Sequence, residues 1–142
     1  MSDSANPVEL LGSDEAWRLL AAHSFGRLAL AAAGEVDVFP INYFCDGHSI
    51  LLRTAPGTKL LELAITGRAV LEIDEYTDTV AWSVVAKGPA SELESQTEID
   101  EADRAPLTPW IPTLKYRYVR IHPTEVTGRR FSRGPEPVRD LV

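Results

Sequence analysis

The sequence predicts a mainly-β fold, an antiparallel barrel carrying a few short helices, on three observations. Six short strand-like runs follow one another between residues 26 and 131, and tight-turn dipeptides separate the early ones at short spacing. The helical patterns are too few and too short to alternate with the strands as a parallel α/β sheet requires.

The first dozen residues read as a lead-in. Ser13 is placed to cap a helix running to about His23, with Asp14 and Glu15 favourable in its first turn and Trp17, Leu20 and Ala21 on one face. GRLALAA, residues 26–32, is a short apolar strand, Ala33-Gly34 is a turn, and VDVFPINYFCD, residues 36–46, is a second, longer strand, so the two form a hairpin. Asp46-Gly47 is a two-residue turn signal, and SILLRT, residues 49–54, is the third strand of an antiparallel meander. Ala55-Pro56-Gly57 breaks that strand, and Leu60, Leu61, Leu63 and Ala64 recur at helical spacing in a helix that begins near Thr58 and stops at Gly67. RAVLEIDEY from Arg68 and TVAWSVVAKGPASEL from Thr79 are two strands around Thr77-Asp78, and Gly88-Pro89 marks a bulge, bend or edge in the second. Residues 97–104 form a polar helical segment and PLTPWIP a proline-punctuated loop. KYRYVRIHPTEVTGRRF from Lys115 is the sixth strand region, and the chain after Ser132 reads as a loose tail.

The 142 residues fit a single domain, 1–142, with a core of about 9–131. Lys and Arg number 14 against 21 Asp and Glu, and the formal net charge of -7 argues against a basic nucleic-acid binder. With 44% hydrophobic and 25% charged residues, the chain can bury a core, and a second subunit would add burial to a domain of this size. Cys45 is the only cysteine, so neither an internal disulfide nor a cysteine-cluster zinc site can form. The N-terminus lacks the basic and apolar regions of a secretory signal, and no apolar run approaches the roughly 20 residues of a membrane helix; a cytoplasmic location without membrane contact is the expectation. Residues 72–104 hold ten acidic and two basic side chains, and residues 115–142 hold seven basic and three acidic. Either these are solvated faces of opposite sign, or the basic C-terminal segment meets an anion or the acidic part of a second subunit.

LLRTAPGTKLLEL, residues 51–63, is the most informative stretch. A strand ends in Arg53-Thr54, a Pro-Gly turn follows, and Thr58-Lys59 opens a helix, bringing two cations and two hydroxyls near free backbone N–H groups. That combination suits a phosphate: the helix start favours an anion, Arg53 can donate a bidentate fork, Lys59 supplies a point charge and Gly57 permits close backbone approach. The plain alternative makes Thr58 an N-cap, Gly57 a turn residue, and Arg53 and Lys59 solvated. The Walker phosphate loop and the GxGxxG fingerprint are both absent, which argues against a nucleoside triphosphate and a Rossmann-bound dinucleotide.

Other residues read more simply. His23, His48 and His122 are scattered without metal-ligand spacing and read as surface histidines, and no metal site is expected. Cys45 lacks a nucleophile context and reads as a small buried thiol. Glu72 and Asp74, with Glu75 beside them, read as the solvated side of a strand opposite Leu71 and Ile73 rather than as a catalytic carboxylate pair. Trp17 anchors the first helix in the core, Trp110 caps the barrel or lines a pocket, and Tyr116 and Tyr118, on one strand face, are candidate interface residues.

The order of these pieces resembles a known family. A helix, a hairpin with GRLAL and VFPINY, a strand ending in RT, a GTK helix start, an acidic strand and a WSVVAKG strand look like the pyridoxamine 5'-phosphate oxidase-like flavin-binding split barrels, and among them the small nitroimidazole-reductase-like flavoproteins of actinobacteria. The resemblance covers roughly residues 9 to 131 and implies an FMN-binding split barrel, a homodimer with two FMN molecules at the subunit interface, and a small flavin-dependent oxidoreductase exchanging electrons with a small-molecule donor and acceptor. It implies that Pro40, Ile41, Asn42 and Tyr43 contact the isoalloxazine ring, with a backbone N–H of that strand near flavin N5. Arg53 and Thr54 would bind phosphate and ribityl oxygens, Gly57, Thr58 and Lys59 would complete the phosphate cage, and Trp82 and Ser83 would lie at the ring's other edge. The partner's C-terminal strand, near Arg129 and Arg130, would reach across. The ending GRRFSRGPEPVRDLV does not reproduce the Arg and His run with which pyridoxamine phosphate oxidases hold their vitamin substrate. Relatives that bind the deazaflavin coenzyme, haem or tetrapyrroles supply the alternatives, including a non-catalytic carrier or sensor.

Overall fold

The computed structural model describes residues 7–107 and 116–135. In chain order the elements are β1 (Val8–Leu11), α1 (Ser13–Ala22), β2 (Phe25–Ala32), β3 (Glu35–Asn42), β4 (Phe44–Cys45), β5 (Ile50–Thr54), α2 (Lys59–Thr66), β6 (Arg68–Tyr76), β7 (Val80–Glu92), α3 (Gln96–Asp103), β8 (Arg117–Ile121) and β9 (Glu125–Ser132). Every strand pairing is antiparallel.

The long strand β7 organises the sheet. One edge pairs with β6 from Arg68↔Pro89 to Tyr76↔Ala81. The other edge serves two partners, β9 from Val80 to Lys87 and β8 from Ala90 to Glu92. The sheet therefore splits at Gly88-Pro89 into one leaf, β3-β2-β6-β7-β9-β1, and a second, β7-β8-β5-β4, that do not close on each other. This is a split barrel, and the bend expected at Gly88-Pro89 is the point of partner exchange.

Leu28 and Leu30 of β2, Ala69, Leu71 and Ile73 of β6, Val84 and Ala86 of β7, Ile50 and Leu52 of β5, and Val119 and Ile121 of β8 alternate inward from both leaves. Ala16 and Leu20 of α1 and Leu60, Leu61 and Ala64 of α2 join them in one core. A second, smaller cluster sits on the outer side of the β5–β8 leaf, where Leu51, Tyr118 and Leu93 meet Ala102 of α3. Ala33 (φ 52) and Gly34 (φ 82) both take left-handed backbone in the β2–β3 turn, matching the two-residue hairpin signal.

Several boundaries differ from the sequence reading. The lead-in is partly a strand: β1 pairs with β9 from Val8↔Phe131 to Leu11↔Gly128, an interaction between opposite ends of the chain that no local pattern encodes. The cap of α1 is Gly12 rather than Ser13, and it makes no side-chain hydrogen bond. On that helix Ala16 and Leu20 are buried and Trp17 packs against the core, whereas Ala21 is exposed. The strand read over 36–46 breaks at Tyr43, where the chain crosses from one leaf to the other. The region from Lys115 is two strands, because Pro123 and Thr124 turn the chain from β8 into β9. Past Ser132 the backbone is still tied, with Arg133 N–H donating to Thr79 O at 2.7 Å. Trp110 and the rest of the PLTPWIP loop after Leu107 lie outside the described residues. No helix among the described residues is long and apolar enough to cross a membrane.

Candidate functional site

The residues that open α2 are shaped by the turn before it. Gly57 takes φ 72. Thr58 stays extended and caps the helix, its Oγ1 accepting from Leu61 N at 3.2 Å and donating to Ala55 O at 2.9 Å. Thr54 Oγ1 lies 2.9 Å from Thr58 Oγ1, so the two hydroxyls meet as the sequence suggested. The N–H groups of the first turn have no acceptor within the helix, which is true of any helix start.

The two cations do not converge there. Strand alternation sends Thr54 to the side of Leu52 and Arg53 to the side of Leu51, under the second cluster. The Arg53 guanidinium lies 4.0 Å from the centre of the Tyr116 ring, and its Nε is buried without a hydrogen-bond partner among the described residues. Beneath it, Tyr116 and Tyr118 both donate to Asp103 Oδ1, at 2.9 and 2.7 Å. Those hydrogen bonds, Tyr118's first, hold the Asp103 carboxyl below its ordinary range. The tyrosines read as interface candidates are thus bound to α3 of their own chain. Tyr118 is buried and Tyr116 half-buried.

Lys59 turns the other way, toward the β2–β3 hairpin. Its Nζ is 3.1 Å from Asp37 Oδ2 and 3.5 Å from Glu35 Oε2, and the Asp37 hydrogen bond, followed by the Asp37 charge, raises the ammonium's pKa. The sequence reading missed both carboxylates. Their signal was present: Glu35 and Asp37 are two apart after a tight turn, which places them on one face of a strand.

The VFPINY strand divides likewise. Pro40 is exposed, Asn42 is half-buried and Ile41 belongs to the core. Tyr43 is fully buried, and its hydroxyl donates to Leu20 O at 2.8 Å. The side chains of Ile41 and Tyr43 are therefore core groups, leaving only the main chain at those two positions to meet a ligand. Burial raises the pKa values of the Tyr43 phenol and the Cys45 thiol, both inside the core.

Trp82 and Ser83 lie opposite Arg130 and Arg129 in the β7–β9 register of the same chain. Trp82 packs against the core and meets the His23 ring edge-on at 5.0 Å, whereas Ser83 and Arg129 share the outer face. Arg130 binds Glu15 at 2.8 Å and approaches Glu9 at 3.8 Å, and its hydrogen bond lowers the Glu15 pKa. The expected reach into a partner is occupied for Arg130 by its own α1 and β1. His23 is no plain surface residue either, since Nδ1 lies 2.7 Å from Leu19 O and Nε2 3.2 Å from Glu75. Among the described residues no group of three or more His, Cys, Asp or Glu could hold a metal ion.

Registers on the β6 leaf place Pro40, Val38, Arg27, Glu72, Asp74, Ser83 and Arg129 on one outer face. There one Arg27 nitrogen, Nη1, reaches Glu72 at 3.0 Å and Asp74 at 2.9 Å. Burial, and then the neighbouring Asp74, push the Glu72 carboxyl up to about 7.

Comparison with known proteins agrees with this architecture. An uncharacterized protein of Mycobacterium tuberculosis is 42% identical over 93 residues, covering 66% of this chain and 84% of its own. A crystal structure from Corynebacterium glutamicum, provisionally named as a pyridoxamine 5'-phosphate oxidase, is 42% identical with a TM-score of 0.79 over 92% of this chain and 98% of its own. The FAD binding protein of Mycobacterium smegmatis is 36% identical with a TM-score of 0.77 over 87% of this chain and 99% of its own. The family model described as pyridoxamine 5'-phosphate oxidase matches residues 12–130, from the start of α1 into β9, and the chain belongs to that family.

Proposed function

We propose that the chain binds a flavin nucleotide and works as a small flavin-dependent oxidoreductase. The observation that carries this reading is the likeness to the Mycobacterium smegmatis FAD binding protein, 36% identical over most of both chains. FMN remains the expectation from the sequence, and that likeness favours FAD beside it.

The residues around α2 fit a phosphate-bearing ligand. Thr54 and Thr58 bring two hydroxyls to the first turn of the helix, and Lys59 stands at its mouth. Arg53, held on the other side of β5 under Tyr116, stands apart from this set. A bound flavin would supply the hydride and electron transfer. The chain's own part is to hold the phosphate through Lys59 and the threonines and to offer the Pro40–Tyr43 main chain to the ring.

A homodimer belongs to the same reading. Leu10, Val36 and Val38 are 76%, 71% and 61% exposed on the outer face that also carries Pro40, Ser83 and Arg129. Exposed apolar side chains at the two edges of this face, with the charged Arg27, Glu72 and Asp74 between them, are the surface offered for pairing with a second copy. The location stays as expected from the sequence, cytoplasmic.

The test is an absorbance spectrum of the purified protein, followed by titration with FMN, FAD, the deazaflavin coenzyme and haemin. Stoichiometric flavin binding, weakened about tenfold by Lys59→Ala, is the expected result. Binding of the deazaflavin coenzyme or haemin alone moves the function to that ligand on the same fold. Sedimentation velocity reads the dimer.

A further inference from the structure

We propose that the outer face of the β3-β2-β6-β7-β9-β1 leaf pairs with the same face of a second copy, the Arg27–Glu72–Asp74 cluster of each protomer receiving Arg129 of the other. This rests on the homodimer reading above and names the contact that orients the two copies.

The cluster is one cation short. A single Arg27 nitrogen serves both carboxylates, at 3.0 Å to Glu72 and 2.9 Å to Asp74, so the three side chains sum to a single negative charge. Arg129 is the complementary group. It is exposed on the same face, and its side chain makes no ion pair or hydrogen bond among the described residues. The cluster of its own chain is already closed by Arg27. The register Asp74↔Ser83↔Arg129 also sets that cluster two strand spacings away, about 10 Å, with β7 between.

The charges select one way of pairing two identical faces. A twofold axis running across the strands sets each strand over itself, cluster against cluster and Arg129 against Arg129, so that like charges meet. A twofold axis along the strands, at the middle of the leaf between β6 and β7, lays β9 over the other copy's β2 and β1 over its β3. Position along the strands is kept, so Arg129 arrives in the row of Asp74 and one strand from it. Leu10, opposite Arg129 in the β1–β9 pair, comes to the β3 edge, where Val38 and Pro40 are exposed. The same turn joins opposite charges and apolar edges, and symmetry makes each contact twice.

Sedimentation velocity at low ionic strength and about pH 8, above the range in which Glu72 titrates, measures the dimer dissociation constant of the wild type, Arg129→Glu and Glu72→Gln/Asp74→Asn. The first variant sets an anion against the acidic cluster, and the second leaves Arg27 an uncompensated cation facing Arg129. Each alone is expected to dimerise about a hundredfold more weakly than the wild type, about tenfold for each of the two symmetric contacts. Mixed in equal amounts the variants are complementary at both contacts, and a heterodimer within about tenfold of the wild-type constant is expected. Pairing of Arg129 with the cluster of its own chain predicts no such recovery. Should the double variant fail to fold, Glu72→Gln, which leaves the cluster neutral, carries the mixing test with a gain of about tenfold over Arg129→Glu alone. Variants that dimerise as the wild type does, or a mixture no tighter than either variant alone, overturn the proposal and leave the homodimer standing. A wild type that stays monomeric at every concentration overturns the homodimer reading and the proposal with it.

Discussion

Gly88 in β7 and the backbone of His122 between β8 and β9 pack so closely that no side-chain carbon fits between them. A Cβ on Gly88 would overlap the His122 carbonyl and stand 2.8 Å from Pro123 Cα. On either side, His122 N–H donates to Pro89 O at 3.0 Å and Thr124 N–H to Lys87 O at 2.8 Å. The two leaves separate at this contact, and glycine is what lets them do so.

Gly88→Ala should therefore lower stability by about 3 kcal/mol, the upper end for overpacking, because backbone rather than a flexible side chain has to move. Urea denaturation checks this. A loss below about 0.5 kcal/mol would show that β8 and β9 can shift apart freely.

Tyr43→Phe separates a core role from a ligand role. It removes the hydrogen bond to Leu20 O and should cost about 1–2 kcal/mol, while flavin affinity stays within twofold. A large loss of flavin affinity at unchanged stability would return Tyr43 to the site.

The Arg27–Glu72–Asp74 cluster predicts a pH dependence of definite sign. The Glu72 carboxyl titrates near 7 in the folded chain, above its ordinary 4.5, so between these values the folded state holds the extra proton. Its contribution to stability therefore falls as pH rises from about 4.5 to about 7 and stays flat above. Glu72→Gln cannot lose that proton, so its melting temperature relative to wild type should climb through the same window. A difference independent of pH between the two proteins would exclude proton uptake at Glu72.

Asp103 accepts from two phenols at once, and its hydrogen bond is the leading cause of the raised Tyr116 pKa. For Tyr118 burial leads and the Asp103 hydrogen bond follows. Asp103→Asn should bring the Tyr116 titration down toward the ordinary phenol range and move Tyr118 less, because burial leads the Tyr118 shift. Ultraviolet titration of the phenols, with each Tyr→Phe variant as control, reads both shifts.

Features with local causes were legible in the order of the amino acids. Ala33-Gly34 specified the β2–β3 hairpin, Asp46-Gly47 the turn before β5, and Thr58 the capped start of α2, because turn chemistry and capping act within a few residues. The alternation of Leu71 and Ile73 against Glu72 and Asp74 likewise set which side of β6 is buried. Tertiary structure alone decided the rest. The pairing of β1 with β9, the crossing between leaves at Tyr43 and the exchange of partners at Gly88 depend on contacts between distant segments, and hydrophobic pattern is blind to which strand will be the neighbour. The same reason governs the candidate site. Spacing placed Arg53, Thr54, Thr58 and Lys59 close along the chain, but strand alternation carried Arg53 under Tyr116, and the long-range position of the β2–β3 hairpin gave Lys59 to Asp37 and Glu35.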